Sequence, residues 1–182
     1  MKEKIEQMKL KGYKFEAGLT DDEIRTIERR YNINFPKSLI EFYTIALPVS
    51  KWFVNWRNTT EENIKDIKWR LAEPFNGIFW AMEKDEFWVD GWERPNSFEE
   101  MKKKFIEEMK DEPTPIPFYS HRYVLSQEGI DDPAVLSMYD SDIIVYGNNL
   151  EEYLDNEFIN PQKHECKYLD SMGKWVDIME SY

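Results

Sequence analysis

Apolar positions recur at helical spacing from residue 19 onward. Leu19 and Ile24 flank Thr20-Asp21-Asp22-Glu23, the order of a capping box with its hydrophobic staple, and Ile24, Ile27 and Tyr31 continue one face of that helix. Pro36 suits the first residue of a second helix, with Leu39, Ile40, Tyr43, Ala46 and Leu47 as its stripe and Pro48 as its stop. Ile64, Ile67 and Leu71 predict a third helix after Thr59 or Thr60. The texture then turns to β: Gly77–Met82 and Glu86–Asp90 read as strands joined by Glu83-Lys84-Asp85. Ser97-Phe98-Glu99-Glu100 is a second capping box, and Phe98, Met101, Phe105 and Met109 mark the buried face of its helix.

Pro113, Pro115 and Pro117 exclude helix from 111–117 and confine any strand there to an edge. Tyr119–Leu125, Ala134–Tyr139 and Asp142–Tyr146 read as three strands. Gly147-Asn148-Asn149 leads into a last helix carrying Leu150, Tyr153, Leu154 and Phe158. In the tail, Lys167–Leu169 and Lys174–Ile178 suggest a small hairpin. Helices first, then hairpin-connected strands, predict an α+β domain on an antiparallel sheet. The chain divides into a basic lead at 1–17, a single domain at 18–159 and an extension at 160–182.

Composition narrows the function. The 182 residues carry 24 Lys and Arg against 36 Asp and Glu, a net charge of −12, which disfavours binding to nucleic-acid phosphates. No apolar run approaches the ~20 residues of a membrane span, and the lead lacks the apolar region of a signal peptide. One cysteine, Cys166, fits a reducing cytoplasm. Seven glycines and the absence of phosphate-loop or nucleophile-elbow motifs leave little room for the commoner catalytic scaffolds.

Two signatures carry a resemblance. One is LTDDEIRTIERRYNINFPKSLIEFYTIA at 19–46. The other is PIPFYSHRYVL followed by PAVLSMYDSDIIVYGNNLEEYLDNEF, covering 115–158. With WFVNWRN at 52–58 and FWVDGWERP at 87–95, they resemble the SUKH superfamily of cell-wall-assembly-regulator-like proteins. The resemblance implies an α+β fold with a curved antiparallel sheet and flanking helices. It further implies a non-catalytic protein-binding role, in bacterial members as immunity proteins that neutralise a cognate toxin. The alternative it implies is a regulatory or scaffolding protein of cell-wall synthesis. At Leu47-Pro48-Val49-Ser50 the chain departs from the Asn-Gly-Gly-like turn of many members.

The chemistry-bearing residues are sparse. His121 and His164 are the only histidines, and His164-Glu165-Cys166 has no second cluster to complete a tetrahedral metal site, so neither metal nor cofactor is expected. On a strand, Ser120 and His121 point to opposite faces, so no nucleophile–base pair is expected there and no enzymatic activity is assigned. Of seven tryptophans, Trp80 and Trp88 are expected in the core, whereas Trp56 beside Arg57 and Trp92 in a Gly-Trp-Glu-Arg-Pro loop are candidate exposed anchors. From Tyr123 to Gln162 there is no Lys or Arg but nine acids, among them Asp131, Asp132, Asp140, Asp142, Glu151 and Glu152. Two readings stay open: a solvated face that aids solubility, or a docking face for a cationic partner such as a basic nuclease-type toxin domain.

Overall fold

The computed structural model describes residues 1–161 and 167–181. In chain order it runs α1 (Lys2–Leu10), β1 (Phe15–Ala17), α2 (Asp21–Tyr31), α3 (Lys37–Ile45), β2 (Ala46–Pro48), α4 (Glu61–Glu83) and α5 (Phe98–Met109). There follow β3 (Thr114–Tyr119), β4 (Arg122–Ser126), β5 (Val135–Tyr139), β6 (Asp142–Gly147), α6 (Leu150–Leu154) with a π-helical turn at Asp155–Ile159, and α7 (Trp175–Glu180). The fold is α+β with two antiparallel sheets: β1 pairs with β2, and β3-β4-β5-β6 form a four-stranded meander.

Side chains alternate across the meander, and each face has its own core. Ile116, Phe118, Val124 and Val135 meet α1, α2, α3 and α6 in a cluster rich in aromatic rings. Tyr123, Leu125, Leu136, Met138 and Ile143 meet the second half of α4, α5 and the C-terminal segment, where Met82, Met101, Met109, Met172 and Met179 fill the gaps between rings. The residues at 160–182 thus contribute Met172, Trp175, Ile178 and Met179 to this second core.

The first capping box forms in full, and the second forms only its Ser97 half. Thr20 Oγ1 accepts from the Glu23 amide (3.2 Å) while Glu23 Oε2 accepts from the Thr20 amide (2.8 Å), and Leu19 and Ile24 are buried beside them. Ser97 caps α5 through the Glu100 amide. Pro36 caps α3 from just outside its first turn, and Ala46 ends that helix by turning extended into β2. Within the basic lead, 2–10 form α1 and 15–17 form β1 against β2.

Three expectations are overturned. Gly77–Met82 is helix, because α4 continues to Glu83, and Glu86–Asp90 is no strand, though Phe87 and Val89 are buried. Two apparent breakers are tolerated for identifiable reasons. Pro74 has no N–H for the Arg70 carbonyl four residues back, and the Tyr123 hydroxyl donates to that carbonyl at 3.1 Å instead. Gly77 makes room for the β5–β6 turn: a Cβ there would stand 2.6 Å from Asp140 Cα. Second, 119–125 is not one strand, because the chain reverses at Ser120-His121 between β3 and β4. Third, the tail is helical: Trp175, Ile178 and Met179 share one buried face, and a 3-10 turn at Asp170–Met172 takes the place of a hairpin.

β3 is an edge strand, as its prolines require. The Leu125 amide donates to the Ala134 carbonyl just before β5, so Pro115, paired with Leu125, turns its backbone to the outer side, and so by alternation does Pro117. Further along, residues 53 and 54 cover the same edge through a Phe53–Tyr119 bridge and a bond from the Val54 amide to the Phe118 carbonyl.

Candidate functional site

The predicted anchors divide. Trp56 is 1% exposed; its indole N–H donates to the Tyr43 hydroxyl at 2.9 Å, and its ring meets Tyr31 and Phe35 edge-on. It is a core residue, which corrects the expectation of exposure. Its neighbour Arg57 is a rivet: it donates to both Glu23 oxygens, to Glu16 and to the Ala17 and Gly18 carbonyls. That guanidinium first, and the Thr20 amide second, hold the Glu23 carboxyl down at about 2. Trp92 is half-buried, packed against Trp88 and Phe105, with Lys174 Nζ 5.7 Å from its ring.

The acidic stretch does not make one face. Where the β4–β5 loop meets α6, and along α6 and its π-helical turn, its charges find cations from elsewhere in the chain. Lys37 pairs with Asp131 (2.7 Å), Lys4 with Asp155, Arg122 with Glu157 (3.1 Å), and the Met1 amino group with Glu151. Asp132 accepts from the Leu150 amide, and Glu152 accepts from Asn148. The basic lead, distant in sequence, thus pairs with two of these acids in space, and Lys37 and Arg122 pair with two more. A groove of about 770 Å³ beside the β4–β5 loop is lined by both signs, Lys37 and Lys110 beside Asp111, Glu128 and Asp131.

The opposite end of the sheet differs. The β3–β4 turn, the β5–β6 turn, the Lys51-Trp52 loop and the middle of α4 converge there. The Trp52 carbonyl accepts from the Ser120 amide at 2.9 Å and from Arg70 Nη1 at 3.5 Å. The His121 carbonyl accepts from the Met138 amide, and the His121 and Tyr139 rings lie edge to face. Trp52, Ser120 and Asp140 all hold left-handed backbone, at φ of 80°, 50° and 51°. Non-glycine residues seldom adopt it, least of all a bulky one, and three together mark a place where the fold imposes a shape.

Asp140 and Asp142 lie here with Glu73 of α4, and among the described residues none of the three enters an ion pair. Burial, and then the Asp140 charge, push the Glu73 carboxyl upward. Four large rings stand exposed on the elements that meet here: Trp52 is 51% exposed, Trp69 57%, Trp80 46% and Tyr139 67%. Trp69 and Trp80 stand eleven residues apart on α4, which puts them roughly 20° apart around the helix and about 16 Å along it, with Glu73 between them. The expectation that Trp80 is core is corrected; the eleven-residue spacing was its signal, hidden by the strand assignment.

Ser120 and His121 do meet, contrary to expectation, because they occupy a turn and not a strand: Ser120 Oγ lies 3.1 Å from His121 Nδ1. Burial, and then the adjacent Arg122 guanidinium, push the imidazole pKa down. Among the described residues, no group of three or more His, Cys, Asp and Glu is placed to hold a metal ion, and His164 and Cys166 lie outside them. No helix among them is long and apolar enough to cross a membrane. Comparison with family models, with curated proteins and with solved structures finds no match.

Proposed function

We propose that this chain is a non-catalytic protein-binding domain, an SUKH-like immunity protein that neutralises a cognate toxin in the cytoplasm. The observation that carries the reading is the end of the sheet where the exposed rings of Trp52, Trp69, Trp80 and Tyr139 share the surface with three acids without ion-pair partners among the described residues. Exposed large rings are poor for solubility but good for interfaces, where rigid aromatic side chains supply contact area at small entropic cost. The resemblance carried by Tyr119-Ser120-His121-Arg122-Tyr123 and Tyr146-Gly147-Asn148-Asn149-Leu150 falls partly on this end, since the first segment forms its β3–β4 turn.

Co-expression tests it. Cells producing the toxin domain encoded beside this gene should survive when this protein is present, and unrelated toxins should still kill. Trp52→Ala with Tyr139→Ala should abolish rescue while the purified variant still unfolds cooperatively. Failure of the wild-type protein to rescue would overturn the immunity reading and favour the cell-wall regulatory alternative.

A further inference from the structure

The structure says more about what this end of the sheet is built to accept. Two of its exposed rings already hold cations: Lys51 Nζ sits 4.4 Å from the Trp52 ring centroid, and Lys84 Nζ sits 3.4 Å from that of Trp80. Both ammonium groups belong to exposed side chains, and both rings keep about half their surface open beside them. Trp69, on the same stripe of α4, has no such cover among the described residues. Glu73, Asp140 and Asp142 add negative charge beside the rings, and Glu62 and Glu83 extend it along the helix stripe.

We infer that this face takes a segment of a partner protein that presents arginine or lysine side chains, each cation laid on a tryptophan ring and flanked by a carboxylate. The inference rests on the reading that this end of the sheet docks a protein, and it adds the chemistry of the occupant. A purely apolar partner would strand Glu73, Asp140 and Asp142 without compensation. A second copy of this chain would bring two sets of the same acids together, and a nucleic acid would meet carboxylates with phosphates. A cationic segment satisfies rings and carboxylates at once. Lys51 and Lys84 then act as placeholders that swing into solvent when the partner's cations arrive. About five residues of extended chain cover the Trp69–Trp80 spacing, so two cationic side chains of one segment reach both rings.

The test uses the full chain and a defined probe, a twelve-residue peptide of alternating arginine and serine, beside the same peptide with citrulline for arginine. Titration is followed by tryptophan fluorescence and calorimetry at several salt concentrations. The arginine peptide should bind, and the citrulline peptide, equal in shape but neutral, should bind at least tenfold more weakly. Trp69→Leu with Trp80→Leu should weaken the arginine peptide tenfold or more at unchanged net charge. Asp131→Asn with Asp132→Asn, which removes two acids at the opposite end, should leave its affinity within twofold. Lys84→Met should tighten binding by removing the competing cation. Equal affinity for both peptides, no effect of the tryptophan changes, or an equal loss from the Asp131 and Asp132 changes would overturn the inference. So would a dimer in sedimentation that Trp69→Leu dissolves. Rescue from the toxin is a separate readout: it can fail while the peptide result holds, and hold while the peptide result fails.

Discussion

Two acidic regions of the molecule carry similar side chains in opposite circumstances. Along the β4–β5 loop, α6 and its π-helical turn, Asp131, Glu151, Asp155 and Glu157 each face a cation contributed by a distant part of the chain. At the turn end, Asp140, Asp142 and Glu73 face none among the described residues, and they share their surface with half-exposed rings. The first arrangement stabilises the fold and hides charge from a partner. The second leaves charge in place at some cost, which is the usual relation between a binding surface and stability. A count of acids along the chain does not tell the two apart.

The largest expected effect lies among the paired acids. Arg122 is nearly buried, with its guanidinium 3.8 Å from the Tyr146 ring centroid and bonded to Glu157 and Ser137. Glu157→Gln removes its counter-charge and should cost about 3 kcal/mol in urea unfolding. Asp140→Asn and Asp142→Asn at the turn end should each stay within about 0.5 kcal/mol of wild type. A loss at Asp140 or Asp142 as large as that at Glu157 would erase the contrast.

An intermediate effect tests what holds the turn end in shape. Tyr123→Phe leaves the Arg70 carbonyl without a donor beside Pro74 and should cost about 2 kcal/mol, read from the denaturation midpoint. The same change should weaken docking only through loosening of α4, so an unchanged midpoint would mean that water replaces the hydroxyl.

The smallest effect has the opposite sign. Because burial and Asp140 raise the Glu73 pKa in the fold, the native state holds that proton more tightly than the unfolded chain does. The ionised carboxylate therefore costs stability above its folded pKa, and the cost vanishes as pH falls below the ordinary value of 4.5. Glu73→Gln should raise stability at pH 7 by under about 0.5 kcal/mol, and the gain should close toward pH 4. Glu23 runs the other way. Its pKa is lowered to about 2, so its contribution, roughly 1 kcal/mol after solvent screening, is complete above pH 4.5 and disappears as pH falls toward 2. A fall in stability on Glu73→Gln at neutral pH would place Glu73 among the paired acids and narrow the comparison to the two aspartates.

Local signals are legible in the sequence, and those that depend on remote partners are not. Thr20 and Glu23, or Ser97 and Glu100, are three residues apart and satisfy each other, so their helices start where the pattern says. α4 is different: Pro74 and Gly77 look like breakers until Tyr123 and Asp140, some fifty and sixty positions later, are brought beside them. The tryptophans follow the same rule. Trp52 and Trp56 lie four apart, yet one is half-exposed on strained backbone and the other is sealed among Tyr31, Phe35 and Tyr43. The acidic run looked uncompensated because its cations come from Lys4, Lys37 and Arg122, all outside it.

The two prolines on the outer side of β3 also bear on how this protein behaves in a crowd. An open strand edge offers a row of amide donors that a neighbouring molecule can use to extend the sheet, and repetition of that step builds fibrils. Here the positions that would offer those donors, 115 and 117, have no N–H to give, and residues 53 and 54 occupy the stretch beyond them. Molecules that collide along this edge find carbonyls without matching donors and separate again. A protein that displays four large rings to solvent can therefore accumulate without polymerising through this side of its sheet.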